Sequence, residues 1–233
     1  MTQSLENILF LDIETTGAAA SYSDLDENMQ RHWDKKMQWA SQTEEQSPEA
    51  LYARAGIYAE FGKVICISVA YLKNEVLRIK SFFGDDEKQL LEDFADLLNH
   101  HFSKSHHRLC AHNGKEFDFP YLCRRMLLQN IPLPFILDIA GKKPWETTFL
   151  DTMEMWKFGD YKHYISLDLL STLFHIPSPK DDIDGSQVHD IYWQTKDIDR
   201  IVTYCEKDVL AVVQLFLRYQ GKELLSEHQI ITV

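Results

Sequence analysis

Three short segments of this 233-residue chain carry side chains whose types and spacing could do chemistry. Phe10-Leu11-Asp12-Ile13-Glu14-Thr15-Thr16-Gly17 sets two carboxylates at i and i+2. Residues two apart on a strand point to one face, so Asp12 and Glu14 stand side by side. Like charges so placed call for a cation, and Mg²⁺, which takes oxygen ligands and keeps several waters, suits them. The second segment is His112-Asn113-Gly114-Lys115-Glu116-Phe117-Asp118, with Asp118 where a loop enters a helix. An aspartate there also serves as a helix cap. The third is Tyr204-Cys205-Glu206-Lys207-Asp208. Tyr204 and Asp208 share one helix face at the border of an apolar stripe, where they can line a cleft between helix and sheet. Singly, each segment has a plain alternative: a solvated strand end, a cap, half-buried packing.

The elements that must position these residues are legible in the hydrophobic pattern. The apolar run 8–11 ends at Asp12 and predicts a buried strand; the β-branched run 64–71 predicts a second. Residues 76–82 alternate and predict a third, half-exposed strand, with Lys73-Asn74-Glu75 as the hairpin turn. Leu90, Leu91, Phe94, Leu97 and Leu98 recur at helix spacing after Asp85 and Asp86. A fourth strand is expected over 109–112 and a helix over 119–129, with Pro120 in its first turn. Residues 131–148, rich in Pro and Gly, read as a loop, 167–174 as a short helix, and 177–185 as an acidic loop. The long helix 198–219 shows the clearest stripe: Ile198, Ile201, Val202, Cys205, Val209, Val212, Val213 and Phe216. Strands first and helices later predict one α/β or α+β domain over 1–233 with a mixed sheet flanked by helices, ending in a tail at 218–233. Residues 18–54 interrupt this plan. They are polar, with Trp33, Met37 and Trp39 among charges, and read as a helical insertion or as a wall beside the carboxylates they follow.

Composition narrows the function classes. Lys+Arg 24 against Asp+Glu 36 gives a net charge of −12, and 45% of residues are hydrophobic. That apolar share builds a core and excludes a disordered chain. The longest apolar run, 64–72, is broken by Ser68 and falls short of the ~20 residues of a membrane span. Glu6, Asp12 and Glu14 stand where a signal peptide would be apolar. Cys66, Cys110, Cys123 and Cys205 form no CxxC pair, and a reduced, cytoplasmic protein is expected. The acidic balance argues against a non-specific duplex binder. It is compatible with an enzyme acting on nucleic-acid ends, because divalent metals on a carboxylate cluster reverse the local charge.

In order, spacing and flanking residues the three segments resemble the motifs of the DEDD superfamily of 3′–5′ exonucleases, with its ribonuclease-H-like fold. The first is similar to hydrophobic-D-x-E-T, the second to N-x(2–3)-F/Y-D, and the third to the Y-x(3)-D of the DEDDy subgroup. Within that subgroup the chain looks like bacterial predicted exonucleases related to the exonuclease domain of family-B DNA polymerases, and 56–64, GIYAEFGKV, adds to the match. The resemblance implies a two-metal phosphodiesterase using Mg²⁺ or Mn²⁺. Asp12 would bridge both ions, Glu14 and Asp208 would complete the inner site, and Asp118 would hold the second ion. Tyr204 would orient the attacking water, since a tyrosine pKa of about 10 makes a poor base at neutral pH. Thr15 and Thr16 would meet the terminal nucleotide, and Asn113 and Phe117 would flank the cleft.

The implied substrate is the unpaired 3′ end of a single-stranded nucleic acid, DNA favoured, cut to nucleoside 5′-monophosphates. An RNA-directed exoribonuclease and a non-catalytic nucleic-acid-binding or scaffold domain are the alternatives. Phe61, Phe117 and Tyr121 are candidates for stacking on bases. One position departs from the pattern: Ser166 stands where these domains commonly carry a lysine, and Lys157 or Lys162 would have to supply that charge. Other signatures fail. Glu14 is a methylene too long for a D-x-D-x-T phosphatase, and an EF-hand through Asp182 and Asp184 would begin at Lys180 and end at Ile191.

Overall fold

The computed structural model describes residues 4–160, 164–177 and 182–233. Its strands are β1 (Ile8–Gly17), β2 (Gly62–Lys73), β3 (Val76–Phe83), β4 (Arg108–Ala111), β5 (Leu150–Asp151) and β6 (Ile230–Thr232). Its helices are α1 (Glu27–Glu44), α2 (Glu87–His101), α3 (Asp118–Leu128), α4 (Thr152–Lys157), α5 (Leu167–Leu173), α6 (Val188–Asp190) and α7 (Ile198–Tyr219). The strands form one mixed sheet in the order β5-β4-β1-β2-β3-β6. The first three make the expected antiparallel meander, and β4, β5 and β6 join in parallel. Asn74 and Glu75 turn the β2–β3 hairpin at φ 52° and 63°. A two-residue turn with both φ positive matches the twist of the strands it joins.

Alternation along β1 divides the core. Leu9, Leu11 and Ile13 pack with Leu91, Phe94 and Leu98 of α2 and Phe119 and Leu122 of α3. Ile8 and Phe10 pack on the other face with Val209, Val212, Val213 and Phe216 of α7. The Phe10 and Phe216 rings meet edge to face, centroids 5.4 Å apart. Asp12 and Glu14 continue the Ile8–Phe10 series, so the strand period itself aims them at α7.

Several elements differ from the expectation. β1 does not stop at Asp12 but pairs with β2 as far as Gly17, so both carboxylates lie inside a strand. The β-branched Thr15 and Thr16 carry the pairing past the charged pair. The region after 148 holds β5 and α4, and the tail holds β6. Two, six and three residues are too few to show a period. The insertion folds as α1 followed by a 3₁₀ segment, Ala50–Ile57. Trp33 and Met37 of α1 build a small core with Leu51, Tyr52, Ala55 and Phe61, while Trp39 is exposed. Among the described residues, no helix is long and apolar enough to cross a membrane.

Candidate active site

The site forms where β1 passes under the N-terminal half of α7. Asp12, Glu14 and Cys205 bring one potential ligand atom each to within 4.8 Å of one another. The Cys205 thiol donates to the Asp12 carbonyl and to its Oδ2, both at 3.4 Å. Directly after Glu14 the β1–β2 register shifts, with Glu14 opposite Cys66 and Thr15 opposite Val64. Such a bulge bends the strand and re-aims side chains, as it often does beside active sites. Tyr204 and Asp208, one turn apart on α7, are both buried, and the Asp208 charge acts on the Tyr204 hydroxyl. Asp118 arrives from the other side of the sheet. It is the first residue of α3, after a Phe117 cap that makes no side-chain bond, and its own N–H and that of Ile13 favour the charged form of its buried carboxylate. An aspartate in a first turn also meets the positive end of the helix dipole.

Four carboxylates thus share one field. Burial pushes Asp12 well above the ordinary carboxylate range, and Asp208, Glu14 and Asp118 push it further. Glu14 is raised by burial, then by Asp208 and Asp118 among its neighbours. Asp118 is raised to about 7 by burial, with Asp151 and Asp208 adding and the nearby backbone N–H groups opposing. Tyr204 is held strongly in its neutral form by burial and by the charges of Asp208, Glu14 and Asp12. Asp12 and Glu14 lie closest together, and Asp118 and Asp208 are near enough for their charges to act on both; four oxygen donors so placed are a set that fits hard divalent cations such as Mg²⁺ or Mn²⁺. Without a cation they repel one another.

The segment carrying Asp118 is held by a residue the sequence reading missed. Asp151 is buried at the end of β5 and accepts from the N–H groups of Asn113 (3.0 Å), Lys115 (3.1 Å), Met153 (2.9 Å) and Glu154 (3.3 Å). One side chain therefore caps α4 and clamps the loop before Asp118. The signal was present: an aspartate after Phe149-Leu150 and before Thr152-Met153-Glu154 is a helix-cap pattern. Asn113 adopts the left-handed conformation, φ 60°, and its buried Oδ1 has no partner. A Cβ on Gly114 would stand 2.4 Å from that of Ala111, so only glycine permits this loop to close. His112 Nε2–H donates to the Ile165 carbonyl at 2.9 Å, and its Nδ1 meets the Thr152 hydroxyl at 2.9 Å. Burial holds its pKa below that of a free histidine.

Beside Glu14 opens a cavity of about 520 Å³, lined by Ile13, Glu14, Thr15 and Phe117, by Ala53 and Arg54 of the insertion and Ile57 just after it, and by Ser186 and His189. The insertion is therefore a wall of the site. Its ends are tied there: the Thr15 hydroxyl donates to Gly56 O (2.8 Å), Ala18 N–H to Phe61 O (2.8 Å) and Ala19 N–H to the Tyr52 oxygen (3.2 Å). Arg54 pairs with Glu44 of α1 at 2.8 Å.

The expected substrate contacts divide. Thr15 and Phe117 line the cavity. Thr16 is fully buried, with its hydroxyl 3.0 Å from His189 Nδ1, and cannot reach a nucleotide. Gly17 N–H also meets Nδ1, which makes it the acceptor and leaves Nε2–H to bond Ala20 O. Phe61 and Tyr121 are buried packing residues rather than stacking surfaces. Ser166 caps α5 through Leu169 N–H, and Lys157 ends α4. Lys162 lies outside the described residues.

Comparison with known proteins agrees with this architecture. A family model described as a predicted 3′–5′ exonuclease related to the exonuclease domain of PolB matches residues 57–229. That span contains Asp118, Tyr204 and Asp208 and begins after Asp12 and Glu14. The family B DNA polymerase of the hyperthermophilic archaeon Pyrobaculum calidifontis superposes with a TM-score of 0.56 at 16% identity, covering 91% of this chain and 24% of the polymerase. The likeness carries the fold, and the chain spans about a quarter of the polymerase's length. No curated protein sequence matches the chain.

Proposed function

Because the chain belongs to the family of predicted 3′–5′ exonucleases related to the PolB exonuclease domain, we propose that it hydrolyses the terminal phosphodiester at 3′ ends of single-stranded nucleic acid, DNA favoured, and releases nucleoside 5′-monophosphates. The observation that carries this reading is the convergence of Asp12, Glu14, Asp118 and Asp208, from β1, α3 and α7, into one acidic centre, where burial and neighbouring carboxylates raise Asp12, Glu14 and Asp118. Their oxygens would hold two Mg²⁺ or Mn²⁺ ions. When bound, such a pair supplies charge for the phosphate, an acidified water and stabilisation of the leaving oxygen.

The chain's own groups do the rest. Tyr204 keeps its proton, so it orients a water by hydrogen bonding and does not act as a base. The Asp208 charge, one turn further along the helix, helps to keep that hydroxyl protonated. Thr15, Phe117 and Ile57 border the space for a terminal nucleoside, and Asn113 borders Phe117's loop. A 3′ end must be unpaired to enter this cavity, which favours single strands.

The test is a polarity assay on matched 5′-labelled DNA and RNA oligonucleotides with Mg²⁺. The reading predicts a ladder shortening from the 3′ end, faster on DNA, that is absent for Asp208→Asn. An intact strand, or equal cleavage by both proteins, contradicts it. A non-catalytic nucleic-acid-binding domain would bind the strand and leave it whole.

A further inference from the structure

We infer that Phe158 and Tyr164 form a stacking ledge for the bases of a single strand, on the Asp118 side of the cleft. The inference rests on the exonuclease reading and names a contact surface outside the catalytic cavity. Phe158 is 92% exposed and Tyr164 70% exposed. Phe158 caps α4 in the left-handed conformation, φ 45° and ψ 35°. That position normally takes glycine or asparagine, and a bulky ring there is uncommon. Gly159 stands next to it in the sequence, so a glycine at the cap was one residue away. Strain kept in this way, with the ring in water, points to a use for the ring.

The ledge is firmly tied to the site. Trp156, two residues before Phe158, packs edge to face on Phe174 at 5.8 Å and stacks on Tyr219 at 6.4 Å, which fixes the end of α4. Asp151 caps the start of the same short helix and holds the loop of Asn113 and Lys115. On the other side, Ile165, next to Tyr164, is bonded to His112, which directly precedes that loop. Both rings are thus attached, through a few covalent and hydrogen bonds, to the segment that presents Asp118. Lys157, adjacent to Phe158 in the last turn of α4, adds a cation beside the ring. In a chain with a net charge of −12, stacking is the attraction a single strand can find, because every base has a π-face.

Phe158→Gly separates this from a structural role, since glycine suits the left-handed cap while the ring is lost. Binding of fluorescein-labelled (dT)₁₂ to the full chain, with Ca²⁺ replacing Mg²⁺, should weaken about 10-fold, as expected for one lost stacked base. Thermal stability should hold or rise. Tyr164→Ala should weaken binding similarly and Tyr164→Phe should restore it. Hydrolysis of thymidine 5′-(4-nitrophenyl phosphate), too short to reach the ledge, should be unchanged in all three. Unchanged (dT)₁₂ affinity in Phe158→Gly and Tyr164→Ala overturns the ledge, whatever the hydrolysis shows. If those variants bind less tightly while wild-type protein cuts neither substrate, the ledge stands and the exonuclease reading falls.

Discussion

The two sides of the carboxylate centre are built differently. Asp12, Glu14, Tyr204 and Asp208 sit on a ten-residue strand and a 22-residue helix whose remaining residues form the core beneath them. Asp118 sits at the start of an 11-residue helix, behind a loop whose position depends on Asp151 and on a glycine. On the first side, position follows from the period of long elements. On the second it follows from a few buried hydrogen bonds. The first side should therefore tolerate loss of a functional group without losing its shape, and the second should be open to disruption by a residue that touches no substrate.

The largest effect should come from the rigid side. Asp12→Asn and Asp208→Asn should each lower hydrolysis by about 1000-fold or more, consistent with the several kcal/mol that bound ions supply to a transition state. Both should remain folded, and in EDTA both should melt at or above the wild-type temperature, because a repelling charge is gone. Tyr204→Phe should cost about 10- to 1000-fold in kcat, as for a lost oriented hydrogen bond, with the Mg²⁺ concentration for half activity unchanged. An unaltered rate would make the tyrosine a packing residue.

On the looser side, Asp151→Ala should lower activity by roughly 10- to 100-fold, the range for residues that orient ligands. It should also cost about 1–3 kcal/mol of stability from unsatisfied amides. The signature to look for is faster amide exchange at Asn113 and Lys115 with Tyr204 and Asp208 undisturbed. Exchange rising equally on both sides would erase the distinction between them.

The smallest effect concerns pH without metal. The folded-state pKa of Asp118 is raised to about 7, so the native state holds a proton that the unfolded chain releases near the ordinary carboxylate value. The raised value means stability is lost as pH climbs between those limits. In EDTA, wild-type protein should therefore lose a few degrees of melting temperature relative to Asp118→Asn between about pH 4 and pH 7. Added Mg²⁺ should close the gap.

The same contrast explains what could be read in the sequence. Asp12, Glu14, Tyr204 and Asp208 were legible because periods of two and of three to four fix the face on which a side chain lies. Asp118 was legible from its place before a helical pattern. Asp151 offered only a cap pattern with no period to frame it, since β5 is two residues long and α4 six. The burial of Thr16 against His189 depends on a contact spanning 173 residues, and no local pattern reports it. Phe61 and Tyr121 had the right chemistry for stacking, but the core of the insertion and the cluster on α2 and α3 claim them. The insertion's part in the cavity arises from Thr15 meeting Gly56 and Ala18 meeting Phe61, each across 41 or more residues, again a tertiary fact.

The claim that two unlike regions make one divalent-ion centre is tested most directly by counting ions. Mn²⁺ would be titrated into the protein with saturating thymidine 5′-monophosphate and followed by electron paramagnetic resonance. Wild-type protein should bind two ions, Asp118→Asn one, and Asp12→Asn fewer than either, since Asp12 is raised by all three other carboxylates at once. Wild-type protein that binds no Mn²⁺, or two ions retained in both variants, would contradict it.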